Sequence, residues 1–94
     1  MTTIHIKLSQ FGKLLISRPS GREAYLAAKA YILPEKIDKI EIDFSGVQVA
    51  TPSWLDEFIS PIKEHYGKEI FFSHTDNPSV QMSLEQLGMS GRVG

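Results

Sequence analysis

Cysteine is absent from the 94-residue chain. Its absence excludes disulfides, thiolate catalysis and cysteine-based zinc sites, and it is compatible with a reducing compartment. Excess charge of either sign is also missing, with 10 Lys and Arg against 11 Asp and Glu, a formal net charge of -1. Nucleic-acid binding rests on a basic face that neutralises phosphates, so no nucleic-acid partner is expected. No apolar run approaches the roughly 20 residues of a membrane-spanning helix. The opening MTTIHIKLS has neither the basic flank nor the apolar block of a secretory signal. A cytoplasmic protein with no membrane association is therefore expected. Gly-rich phosphate loops and Gly-x-Ser-x-Gly elbows are absent too. Asp43-Phe44-Ser45-Gly46 shares letters with a kinase fragment, but no other kinase element accompanies it.

A hydrophobic content of 41% is ordinary for a globular protein and sufficient for one core. The chain reads as one domain over residues 1–94, with no internal repeat and a tail at 88–94 expected to fray. Ile4, Ile6 and Leu8 alternate with Thr3, His5 and Lys7, the period of a half-buried strand. A short turn at 9–12 and a second strand at 13–17 predict an antiparallel hairpin. Ser20 and Glu23 have capping-box spacing, opening a helix that buries Tyr25, Ala28 and Ile32 and ends before Pro34. Residues 39–44 alternate as a third strand. Thr51-Pro52 is a cap followed by proline at the first helical position, and Leu55, Phe58, Ile59 and Ile62 follow at helical spacing toward Gly67. A strand over 69–73 precedes Asn77-Pro78, a second cap-plus-proline signal, and a helix carrying Val80, Leu84 and Leu87 up to Gly88. The resulting fold class is α/β, order β-β-α-β-α-β-α. It predicts a two-layer domain with a mixed four-stranded sheet and helices mainly on one face.

Functional loops gather at the carboxyl ends of parallel strands, which brings together residues 17–20, 45–52 and 74–77. Thr51 and Ser53 flank a helix N-terminus, where the dipole favours negative charge, so phosphate on either hydroxyl would be well placed. Read locally, Thr51 is a cap and Ser53 an ordinary first-turn residue. Arg22 lies in the first turn of a helix, against the dipole, which points to an anion or acidic partner for Arg22 and Arg18. The plainer alternative is a solvated arginine paired with a neighbouring carboxylate. Asp56 and Glu57 are adjacent and do not face each other on a helix, which argues against a shared acid–base centre. Trp54 reads either as an interface anchor or as a residue packed on the adjoining strand. His5, His65 and His74 have no metal-ligand spacing, so neither a metal nor a cofactor is expected. His74, at the end of a strand, is the histidine best placed for function.

Two stretches carry a family resemblance. Ile42-Asp43-Phe44-Ser45-Gly46-Val47 and Thr51-Pro52-Ser53-Trp54-Leu55-Asp56-Glu57-Phe58 resemble the strand, turn and helix start of STAS-like domains, a group of unknown function related to bacterial anti-sigma factor antagonists. Ser17-Arg18 is similar to the group's pattern as well, and the resemblance runs from Phe11 to Leu87. It implies a regulatory protein-interaction module whose partner is a histidine-kinase-type ATPase. In the antagonists a serine at the equivalent helix start is phosphorylated. By position the candidates are Ser53 and then Thr51. The antagonists carry Asp-Ser-Ser-Gly where this chain has Thr51-Pro52-Ser53-Trp54, so proline occupies the place of the modified serine.

The expected function is partner binding, not catalysis, through Arg18, Arg22, Thr51, Ser53, Trp54, Asp56 and Glu57, with phosphoregulation at Ser53 or Thr51. The alternatives are a nucleotide or small-anion sensor using Arg18 and Arg22, and a serine hydrolase combining Ser53 with His74. The hydrophobic Ile70-Phe71-Phe72 strand, near a sheet edge, also makes a homodimer an option.

Overall fold

The computed structural model describes residues 2–66 and 69–89. Three parallel strands form the main sheet in the order β1-β3-β5, with β1 at Thr3–Lys7, β3 at Lys39–Asp43 and β5 at Glu69–Ser73. Alternation sorts the sheet's two faces. Ile6, Ile40, Ile42 and Phe72 are buried on one, while Thr3, His5 and Lys7 stand exposed on the other. The register pairs Ile6 with Ile42 and Ile42 with Phe72, so the apolar side chains form rows across neighbouring strands.

The single four-stranded sheet with an antiparallel hairpin does not form. β1 pairs with β3, and β2 (Leu14–Leu15) makes a separate two-stranded parallel sheet with β4 (Val49–Ala50). The reason lies in the segment between β1 and β2, a 3-10 turn at Leu8–Phe11. Its apolar residues turn inward: Leu8 is fully buried, and the Phe11 ring lies 5.5 Å from Phe58 and 6.3 Å from Trp54. Drawing this turn into the core carries β2 away from β1. Lys13 O then accepts the N–H groups of Gln48 and Val49, and Leu15 O that of Thr51. The observed order is β-β-α-β-β-α-β-α.

This order exposes a repetition. β1, β2 and α1 (Arg18–Tyr31) are matched by β3, β4 and α2 (Pro52–Tyr66), strand pairing with strand and helix with helix. Gly21 permits the close approach of the helices, since a Cβ there would lie 2.5 Å from the Trp54 carbonyl oxygen. α1 starts earlier than its supposed capping box. Ser17 is the cap, accepting the Ser20 N–H at 3.2 Å, and Pro19 is tolerated in the first turn. That leaves Ser20 free to serve the neighbouring helix.

α2 is the central helix. Trp54, Leu55, Phe58, Ile59 and Ile62 are all fully buried, each contributing about 1.5–3 kcal/mol by the usual transfer estimate. Trp54 stacks on Phe58 at 5.1 Å. The helix continues through Pro61 to Tyr66. Its expected end at Gly67 lies outside the described residues. α3 (Pro78–Gln86) is capped by Asn77, whose side chain accepts the Ser79 N–H at 2.7 Å. Of the tail at 88–94, Gly88 takes φ 69 and closes α3, its N–H bonding Glu85 O while that of Met89 bonds Leu84 O. This is the paired-bond glycine cap of many helices, and residues 90–94 lie outside the described residues. Among the described residues no helix is long and apolar enough to cross a membrane.

Candidate functional site

The loop leading into α2 is tied to both of its neighbours. On one side the Thr51 hydroxyl donates to Ile16 O at 2.5 Å and accepts the Trp54 N–H at 3.3 Å. On the other, the Asn77 amide donates to Val47 O at 3.0 Å and Gln48 O at 2.8 Å. The 45–52 and 74–77 loops are therefore joined directly, and Thr51 reaches Ile16, the residue before the 17–20 loop.

Each of the three described α-helices carries a Pro-Ser pair in its first turn: Pro52-Ser53 and Pro78-Ser79 directly after Thr51 and Asn77, and Pro19-Ser20 separated from the Ser17 cap by Arg18. Proline sets φ for the first turn where no N–H is needed, and the serine that follows can reach a neighbouring element. Ser20 Oγ accepts the indole N–H of Trp54 at 3.2 Å. Ser79 Oγ accepts Ala50 N–H at 3.1 Å and donates to Ala50 O at 3.3 Å. Ser53 differs. It is half-buried, and its hydroxyl makes no hydrogen bond among the described residues. Two of these serines hold the fold together and the third is left unused. The repeated Pro-Ser pair was a sequence signal that could have pointed to this comparison.

Arg18 reaches across from α1 to α2. Its Nη1 donates to Asp56 Oδ2 at 3.0 Å and Glu57 Oε2 at 2.9 Å. Adjacent residues on α2 thus converge on one guanidinium nitrogen, because the long Arg18 side chain reaches to where both carboxylates can meet it. Hydrogen bonds to Asp56 and then Glu57 raise the Arg18 pKa. The Asp56 carboxyl is held below its usual range, first by the Ser60 hydroxyl, which donates to it at 2.7 Å, and then by Arg18. These groups are substantially exposed, so the bridge itself adds modestly to stability.

The remaining site residues separate. Arg22 is exposed and makes no ion pair among the described residues. Trp54 is fully buried, so it supports the surface from beneath and cannot itself touch a partner. Ser53 and His74 are not brought into contact; His74 pairs with Asp43 instead, at 2.7 Å. The α2 N-terminus also has little to offer a free anion. Pro52 lacks an N–H, and those of Trp54 and Leu55 are taken by Thr51. Among the described residues no three metal-ligating side chains gather. An open depression at the opposite ends of the strands is lined by Thr2, Ile37, Asp38, His65 and Tyr66 among others.

The family model for the STAS-like domain of unknown function (DUF4325) matches residues 29–79, more than half of the chain. The match takes in Thr51, Ser53, Asp56 and Glu57 and begins after Arg18 and Arg22. No curated protein and no solved structure matches the chain significantly.

Proposed function

Since this chain belongs to the family of STAS-like domains of unknown function, we propose that it is a non-catalytic regulatory module that binds a partner protein through the start of α2. The observation carrying this reading is the unused hydroxyl of Ser53, beside two counterparts that are both engaged. Of the two candidate modification sites Ser53 is preferred, because the Thr51 hydroxyl already serves Ile16 and Trp54. The partner class supplied by the resemblance is a histidine-kinase-type ATPase.

The arrangement supports a way for phosphorylation to act. Ser53 stands three and four residues before Asp56 and Glu57, the spacing of same-face neighbours on a helix. Phosphoserine there would carry a charge of roughly −1.5 to −2. Three anionic groups would then compete for the single Arg18 guanidinium, loosening the bridge between α1 and α2 on the partner-facing surface. The test is the affinity of a partner purified from the chain's own cells for wild type, Ser53→Glu and Arg18→Ala. Weakening by tenfold or more, about 1.4 kcal/mol, is expected for each variant. Unchanged binding by both, with the fold intact, overturns the proposal.

A further inference from the structure

His74 and Asp43 make no contact with Ser53 or the Arg18 bridge and stand at the carboxyl ends of β5 and β3. His74 Nδ1 is 2.7 Å from Asp43 Oδ1, which also accepts the Ser45 N–H at 2.8 Å. Burial alone would raise the Asp43 pKa, but the hydrogen bonds from Ser45 and His74 outweigh it and keep the carboxyl below its ordinary range. An ionised carboxylate can only accept a hydrogen bond, so Nδ1 carries a proton, and in the neutral ring Nε2 presents its lone pair. Nε2 makes no hydrogen bond among the described residues, and the side chain is 63% exposed. His74 also holds φ 55, a left-handed backbone that glycine adopts with less strain.

The other histidines lack this combination. His5 Nδ1 sits 3.4 Å from Glu41, a carboxylate shared with the Ser73 hydroxyl. His65 meets the Tyr66 ring edge-on and has no carboxylate partner among the described residues. The exposed nitrogen is open to a group delivered from outside. The loop holding it runs directly into α3, whose first turn lies at the positive end of the helix dipole.

We infer that His74 is a phosphoryl acceptor, with Nε2 taking the group from a donor of the phosphoramidate or acyl-phosphate class. The Nε2 lone pair forms the N–P bond as the donor's P–N or P–O bond breaks. The electron pair of that bond departs with ammonia, the phosphoramidate nitrogen already carrying its third proton, or with the carboxylate. The proton stays on Nδ1, so the ring becomes cationic and the Asp43 carboxylate stabilises it.

Potassium phosphoramidate is the probe, with site occupancy at the three histidines followed by peptide mass mapping under non-acidic conditions. His74 is expected to be modified about tenfold faster than His65, the lower end of what a carboxylate partner is worth to a histidine at a metal site. Asp43→Asn should remove that advantage while circular dichroism stays unchanged. Nitrogen-15 NMR of the unaltered protein should find the proton of neutral His74 on Nδ1, a readout that does not depend on a variant folding. Modification of His74 no faster than His65, an undiminished rate in folded Asp43→Asn, or a proton on Nε2 would each overturn the assignment.

Discussion

Replacing Gly21 with alanine sets two effects of opposite sign against each other. Glycine inside a helix is normally unfavourable, so propensity alone predicts that Gly21→Ala stabilises the protein by about 1 kcal/mol. At this crossing, however, the new Cβ would lie 2.5 Å from the Trp54 carbonyl oxygen and 3.1 Å from its carbonyl carbon. These are backbone atoms of a buried helix and cannot rotate away. Ordinary contact begins near 3.4 Å, so α1 must withdraw by nearly an ångström. Such overpacking costs about 1–3 kcal/mol. Withdrawal also pulls Ser20 from the Trp54 indole, and an unpaired buried N–H costs roughly a further 1–3 kcal/mol. The clash therefore wins by about 3 kcal/mol, equivalent to a fall of roughly 12–24 °C in Tm for a domain of this size. Thermal unfolding followed by circular dichroism measures it. An alanine variant as stable as wild type, or more so, would refute the close-approach argument.

Other outcomes follow from the same geometry. Thr51→Val should cost about 1–2 kcal/mol in denaturant unfolding through loss of the cap and the Ile16 bond, while Thr51→Ser retains most of it. Ser20→Ala strands the Trp54 indole and should cost about 1–3 kcal/mol, whereas Ser53→Ala, with no bond to lose, should stay within roughly 0.5 kcal/mol of wild type. Asp56 has a depressed folded-state pKa, so its contribution is complete above the ordinary carboxylate range and disappears as pH falls through the folded-state value. Ser60→Ala should consequently destabilise near neutral pH, by an amount that shrinks in acid unfolding below about pH 4.

Much of this architecture was legible because strong local signals agree with the tertiary contacts. The alternation over 39–44 and the Thr51-Pro52 and Asn77-Pro78 caps identified β3, α2 and α3, and their apolar periodicity identified most of the core. β4 was invisible because two residues have no period; it exists only through its backbone bonds to β2. The hairpin reading failed because Leu8 and Phe11 are worth more in the core than their turn is in strand pairing. At the candidate site, Thr51 and Ser53 could be singled out from helix-start chemistry. The Arg18 bridge could not, because its partners lie 38 and 39 residues away and meet only where Gly21 lets the helices cross. Asp43 was likewise read as a strand residue, and its partnership with His74 depends on the parallel register of β3 and β5.

The most direct test of the binding surface is in-cell photo-crosslinking with the reactive side chain at position 53. Tyr31, 89% exposed at the far end of α1, is the comparison site. Position 53 should capture one defined protein, lost when Arg18→Ala is added, and position 31 should not capture it. No adduct at position 53, or the same proteins from both positions, would contradict the assignment of the α2 start as the binding surface.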